Sequence, residues 1–381
     1  MAKQSYIEFI RDLCPQRVEW KNLGAVTTII RGKRVTKSQL IENGKYPVIS
    51  GGIEPMGYIN DYNRDENTIT IAQYGTAGYV NFIREKFWAN DVCYSVYPTD
   101  EILNKYLYYC LIHNQDYFYR VRNTDAIPYS IALTKIQALK IPVPPLAVQK
   151  KIIQDLDTFA NLIENIDNEI IARQKQFVIA LNRFFEADIK RVEISQLGKI
   201  TRGRRFVRTD IVDQGTPCIH YGDIYTRYPV CVNEALTFLT GDITKKMRYA
   251  QSGDVVYVGA GENNEDIGMA IAWLSKEPAA VHDACYILSE HKQDAKYLAY
   301  MSRANDFHQQ LKMSVASGKI CSIPPDGLGR VKIPVPPIAE QRAIAEKLDT
   351  IEAFINNLKT ERALRQQQYE YYREHLINLL K

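Results

Sequence analysis

The sequence predicts an α+β protein built as a tandem repeat: two similar α/β bodies, each followed by a long helix, with the two helices pairing antiparallel as a coiled coil about a pseudo-twofold axis. Three observations carry this. "KIPVPPLAVQKKIIQDLD", starting at Lys140, returns as "KIPVPPIAEQRAIAEKLD", starting at Lys332. Each copy opens a heptad pattern of apolar residues. Each is preceded by short β-rich runs that end in glycine turns. An internal repeat outranks any local motif as evidence of architecture.

The repeat extends upstream. "VEWKNLG" at Val18 is echoed by "VEISQLG" at Val192, "RGKR" at Arg31 by "RGRR" at Arg202, and "NDVCYSV" at Asn90 by "HDACYIL" at His282. The offset between copies grows along the unit, so the second copy carries inserted loops. The expected divisions are 1–144 for the first body, 145–187 for a central helix, 188–336 for the second body and 337–381 for a C-terminal helix. "NTITIAQYG" and "GDVVYVGAG" are β-rich runs. "LNKYLYYCLIH" and "DAKYLAYMSR" read as helices laid on a sheet. Cys93 and Cys285 fall at matching places and read as small core residues.

Each "IPVPP" ends a strand and leads into a helix, because proline is tolerated only in a helix's first turn. In the central helix the seam is Ile152, Leu156, Phe159, Ile163, Ile166 and Ile170. In the C-terminal helix it is Ile344, Leu348, Ile351, Ile355 and Leu358. Steps of four and three mark a coiled coil, broken by the equivalent Arg173 and Arg365. An antiparallel pairing places each body beside one helix start; two separate amphipathic helices are the alternative. Further apolar residues off the seam, Ile153, Leu162, Ile171, Val178, Ile179 and Ala343, are expected to face other subunits.

Hydrophobic residues make up 46% and charged residues 24%, ordinary for a globular chain. No apolar run approaches the ~20 residues of a membrane span, so no membrane partner is expected. Seven cysteines, with no Cys-x-x-Cys, fit a reducing cytoplasm and argue against a metal cluster. Net charge is only +4, but its distribution is informative. Arg31, Lys33, Arg34 and Lys37 cluster in one copy, and Lys199, Arg202, Arg204, Arg205 and Arg208 at the same place in the other. Taken singly, each run reads as a solvated loop. Their recurrence points to phosphate and base contacts with double-stranded DNA. Gln73, Tyr74 and Thr76 in "QYGTAG", and Asn263 and Asn264 in "GAGENNED", are further candidates; these turns read equally as ordinary hairpins. Two similar heads at a fixed separation suit a bipartite DNA site with differing halves.

The repeated "KIPVPPxAxQ", the opening "LCPQRVEWKNLG" and the two-copy layout resemble the specificity subunit of type I restriction-modification systems. The resemblance covers nearly the whole chain. It implies that the bodies are target-recognition domains, and that the helices set the spacer and dock two methyltransferase subunits. A restriction complex would add translocating nuclease subunits. This chain would be non-catalytic and bind no cofactor, with S-adenosylmethionine held by the methyltransferase partners. The family's "PPLxEQ" is matched closely by Pro337-Ile338-Ala339-Glu340-Gln341, whereas Val148 replaces the glutamate in the first copy.

Two rival functions find less support in the sequence. A methyltransferase would need more than "YVGAG" at Tyr257 and "SIPPDG" near Pro324, which only faintly resemble a nucleotide-binding turn and an amino-methylase motif. A coiled-coil scaffold with two protein-binding heads would lack salt-sensitive DNA binding.

Overall fold

The computed structural model describes residues 3–15, 17–186, 189–263, 265–316 and 321–381. The expected boundary at 187–188 and the candidate Asn264 lie outside the described residues. The chain divides into two compact units, Met1–Ile166 with Glu361–Lys381, and Asp167–Thr360.

The first unit opens with α1 (Lys3–Leu13), β1 (Glu19–Asn22) and α2 (Leu23–Val26). There follow β2 (Thr27–Arg31), β3 (Tyr46–Ile49), β4 (Tyr58–Ile59), β5 (Thr68–Ala72), β6 (Val80–Ile83), β7 (Trp88–Ala89) and β8 (Cys93–Pro98). Then come α3 (Asn104–His113), α4 (Gln115–Val121), α5 (Leu133–Gln137), β9 (Lys140–Val143) and α6 (Leu146–Phe185). One sheet has the order β2-β8-β5-β6 and a second β4-β3-β7, with β3 and β7 parallel. All five residues of β5 are buried, as suits the β-branched run "TITIA". β1 pairs with β9, so the strand carrying "KIPV" is tied to the start of the unit.

In the second unit, β10 (Arg191–Glu193), α7 (Ile194–Leu197), β11 (Lys199–Arg202), β12 (Ile211–Val212) and β13 (Thr216–Ile219) come first. Next are α8 (Tyr221–Thr226), β14 (Cys231–Val232), β15 (Thr237–Leu239), β16 (Tyr249–Ala250), β17 (Val255–Val258) and β18 (Ala260–Gly261). β19 (Ala270–Trp273), β20 (Ala279–Val281), β21 (Cys285–Ser289), α9 (Ala295–Met301) and α10 (Asn305–Lys312) follow. The unit's last elements are β22 (Cys321–Ser322), α11 (Pro325–Gly329), β23 (Lys332–Pro334) and α12 (Ile338–Asn378). Its sheet β11-β21-β17-β19 repeats the first unit's order, with β14 added at the edge. β13 and β20 repeat the parallel pair, and β10–β23 the tie to the start. The inserted loops lie mostly between β13 and β17, where α8, β14, β15 and β16 replace the single short strand β4 of the first copy.

Both long helices begin directly after the double proline. They span 40 and 41 residues, each about 60 Å at 1.5 Å per residue. In the first unit, Phe159 of α6 stacks on Tyr372 of α12 with centroids 4.9 Å apart, and a cleft one turn further brings Ile163 beside Tyr369. Numbering rises along one helix as it falls along the other, so they are antiparallel, as expected. Ile152, Leu156 and Ile163 join Leu376 and Ile377 in the first unit's core. Ile344 and Leu348 enter the core of the second. Full burial of such side chains stabilises by roughly 1.5–3 kcal/mol each. Ile166 and Ile355 are also buried, while Phe159, Ile170, Ile351 and Leu358 are half-buried.

The seam arginines have equivalent surroundings. Arg173 bonds Glu169 and Gln176, and Arg365 bonds Glu361 and Gln368. Arg173 also lies 5.4 Å from the Phe354 ring centroid. Off the seam, Ile171, Val178 and Ile179 are exposed, at 50%, 46% and 64%. Ala343 is exposed too. Leu162 is half-buried, and Ile153 instead packs against the first unit's core, because it neighbours the seam residue Ile152.

Candidate nucleic-acid interface

The two basic turns are the same local structure. After β2, Gly32 donates its N–H to the Cys93 carbonyl at 3.0 Å, and Lys33 to the Ala89 carbonyl at 2.9 Å. After β11, Gly203 donates to Cys285 at 2.9 Å and Arg204 to Val281 at 2.8 Å. A Cβ on Gly32 would lie 2.1 Å from the Asn90 carbonyl oxygen, and one on Gly203 2.2 Å from that of His282. No side chain fits there, which explains the glycine in both "RGKR" and "RGRR". Just beyond, the Thr36 N–H is capped by Gln39 Oε1 at 2.9 Å and the Val207 N–H by Asp210 Oδ2 at 2.7 Å. These caps fix the backbone that carries Lys37 and Arg208.

The leading arginine of each turn is anchored. Arg31 Nε donates to the Asp91 carbonyl at 2.5 Å, and Arg202 Nε to the Asp283 carbonyl at 2.6 Å. Lys199 lies 3.5 Å from Glu290. Lys33, Arg34, Lys37, Arg204, Arg205 and Arg208 are exposed and pair with no carboxylate among the described residues. They are therefore positioned but electrically uncompensated, and suited to phosphate.

A second turn stands behind each basic one: Asn90-Asp91-Val92 in the first unit and His282-Asp283-Ala284 in the second. It also carries the third element. Gln73 donates its N–H to Val92 at 2.8 Å, and Gly259 to Ala284 at 2.7 Å. The structure thus brings the basic turn and the "QYGTAG" strand end together through one shared turn. Gln73 is half-buried and Tyr74 exposed. Thr76 is more committed than the sequence implies, since its hydroxyl and its N–H both donate to the Gly51 carbonyl at 2.8 Å. Asn263 is exposed and donates to Asp266 at 3.3 Å.

Sequence reasoning passed over three groups here. Asn90 is buried, accepts from the Val35 N–H at 2.9 Å and braces the first basic turn. His282 replaces it in the second unit and bonds the Phe206 carbonyl at 3.1 Å. His282 lies 4.7 Å from His220, ring to ring, and burial holds both below the ordinary histidine range. The alignment of "NDVCY" with "HDACY" held that signal. The third is the hairpin between Asn123 and Ser130, which has no periodicity to find.

The weaker motifs have structural explanations. "YVGAG" runs from strand β17 into strand β18, and Gly259 is needed because a Cβ would lie 2.4 Å from the Tyr286 ring. "SIPPDG" leads from β22 into α11, the counterpart of α5. Cys93 and Cys285 are buried in β8 and β21, and burial pushes the Cys93 thiol up to about 12. Among the described residues, no group of three or more His, Cys, Asp or Glu could hold a metal ion.

A family model described as the type I restriction modification DNA specificity domain matches residues 15–172 and again 186–365. The EcoR124I/EcoR124II specificity subunit of Escherichia coli is 25% identical over 429 residues, spanning 100% of this chain and 98% of that one. A Haemophilus influenzae protein, provisionally named a type I restriction enzyme specificity subunit, is 26% identical over 399 residues, spanning 95% of each. In fold, the chain is similar to the crystal structure of a type I restriction-modification S subunit from M. genitalium. That match has a TM-score of 0.60 at 15% identity, covering 95% of this chain and 97% of the other.

Proposed function

This chain belongs to the type I restriction modification DNA specificity domain family, carrying the domain twice, and from that premise we propose how its parts divide the work. It is the non-catalytic specificity subunit of a type I restriction-modification system, and associates with DNA and with that complex. Each unit reads one half of a bipartite, asymmetric site. The paired helices set the number of unread base pairs between the halves. The exposed strip Ile171, Val178 and Ile179 docks methyltransferase subunits, of which the complex carries two. Those subunits hold S-adenosylmethionine; this chain holds no cofactor. In a restriction complex, nuclease subunits would join the same assembly. The complex works in the cytoplasm, a reading supported by seven free cysteines and by the lack, among the described residues, of any helix long and apolar enough to cross a membrane.

One observation carries the reading of the two heads. Their basic turns and strand ends are tied by the same backbone bonds, from Gly32, Lys33 and Gln73 in one and from Gly203, Arg204 and Gly259 in the other, while the residues they present differ: Gln73 stands where Gly259 does, and Asn90 where His282 does. A shared scaffold with divergent contact residues is what two different half-sites require. The test is to assemble the chain with its methyltransferase subunits and sequence the methylated positions in DNA. A bipartite motif with unlike halves and a fixed spacer is expected. A continuous or palindromic motif would overturn the reading.

A further inference from the structure

Between α4 and α5 the first unit sends out a hairpin that the basic turns do not explain. Asn123 and Ser130 close it by exchanging N–H···O bonds of 2.7 and 3.1 Å. Its tip holds Asp125, Ile127 and Pro128. Ile127 is 92% exposed, more than any other large apolar residue among those described. Between the hairpin's base and Gln73 lies an open cleft of about 570 Å3. Two polar atoms there, Gln73 Oε1 and Arg122 Nε, are buried and have no hydrogen-bond partner among the described residues. The Arg122 guanidinium lies 4.9 Å from the ring centroids of both Tyr119 and Tyr129, which restrict it without using its donors.

We propose that this hairpin enters the major groove of the half-site read by the first unit, and that Arg122, Gln73, Asp125 and Ile127 determine bases there. The inference rests on the reading of this chain as a DNA specificity subunit. The major groove admits an α-helix or a two-stranded β-ribbon, and so has room for a narrow loop closed by a single bridge. The four side chains match its chemistry: arginine the O6/N7 edge of guanine, glutamine the N6/N7 edge of adenine, aspartate the N4 amino group of cytosine, and an apolar side chain the methyl of thymine. Asp125 decides against a backbone-tracking role, because phosphate repels a carboxylate whereas the cytosine amino group donates to it. In the second unit, Val315 and Gly259 stand where Arg122 and Gln73 do, on the matching Ala316–Ser322 bridge. The first head's recognition is therefore not shared by the second.

The experiment uses the chain assembled with its methyltransferase subunits and a randomised duplex library. The wild-type assembly first defines the site; absence of any sequence preference would refute DNA reading itself, separately from this inference. Arg122→Ala, Arg122→Lys and Ile127→Ala are then selected in parallel, each checked for folding by its melting transition. Relaxed discrimination at single base pairs of one half-site is expected, by roughly 5- to 150-fold for Arg122, with the other half-site unchanged. Arg122→Lys should fold even if the alanine variant does not, and should lose guanine selectivity while keeping charge. Replacing that purine by its 7-deaza analogue, which alters only the major-groove edge, should weaken wild type and spare the Arg122 variants. Intact discrimination in folded variants, equal loss at both half-sites, or indifference to 7-deaza substitution would each overturn the proposal.

Discussion

Gln149 donates its side-chain amide to the carbonyl of Pro144, five residues back, at 2.8 Å. Gln341 makes the same bond to Pro336, also at 2.8 Å. Gln149 further donates to the Glu101 carbonyl and accepts from the Leu103 N–H at 2.8 Å, joining the helix start to the loop before α3. Gln341 accepts likewise from Asp294 at 3.0 Å. Both glutamines are buried. This is why "PPxAxQ" recurs: the glutamine closes the strand-to-helix corner.

Replacing either glutamine by leucine should therefore destabilise its own unit. Several buried backbone groups lose their partner at once, and each orphaned group costs about 1–3 kcal/mol. Hydrogen exchange of Gln149→Leu should show loosening around Leu103, and that of Gln341→Leu around Asp294. An unchanged urea midpoint in both would disprove the corner's role.

Reversing Arg202, Arg204 and Arg205 to glutamate should weaken DNA binding strongly and flatten its salt dependence, since each phosphate contact contributes about 0.9 to the log–log slope. Because Arg202 is anchored to Asp283, Arg204→Glu and Arg205→Glu should carry the effect without disturbing the fold. Unaltered low-salt affinity in the triple variant would remove this turn from the interface.

Ile171→Glu and Ile179→Glu should each cut methyltransferase association by about tenfold or more, as expected at the centre of an apolar contact. The isolated chain should self-associate through the same strip, because exposed apolar patches are adhesive. A clean monomer that binds no methyltransferase would contradict the assignment.

Inserting one heptad between Ile163 and Ile170 keeps the seam in phase and adds ~10 Å of helix. The spacer should grow by up to ~3 base pairs, at ~3.4 Å per pair; coiled-coil tilt and slippage bring that to one or two. Both half-sites should stay as they were. Methylome sequencing of a host carrying the insertion reads both quantities. New half-sites with the old spacer would contradict a ruler.

Stability should fall between pH 7 and pH 5. Burial lowers His113, His220, His282, His291 and His308 below the usual histidine value. As pH falls through 6.5 the unfolded chain takes up protons that the folded chain refuses, so the unfolded state gains. Asp254, raised by burial, acts oppositely, but only near the carboxylate range. A urea midpoint that stays level from pH 7.5 to 5.5 would show these histidines to be freely titrating.

The architecture was legible because it is periodic and repeated. Seam positions such as Ile152 and Leu348 follow from steps of three and four, and the repeat aligned Cys93 with Cys285 and Arg173 with Arg365. The interface was legible only where charge clusters. The parallel pairing of Val48 with Trp88 leaves no local trace, since the two-residue strand β7 shows no alternation. Nothing near Arg122 in sequence indicates that Gln73 shares its cleft. Gln149 was visible as a motif, but its partners at Glu101 and Leu103 are long-range.

The last turns of α12 belong to the first unit: Leu376, Ile377 and Leu380 are buried in its core, and Trp20 donates to the Leu380 carbonyl at 3.4 Å. A ribosome therefore makes the first unit's opening strand more than 350 residues before the segment that seals it. The second unit has all its parts once Thr360 emerges, so it can close while its elder neighbour still waits. The order in which the units begin is thus the reverse of the order in which their parts are complete. A message cut short after Thr360 would yield a finished second body joined to an unsealed first one.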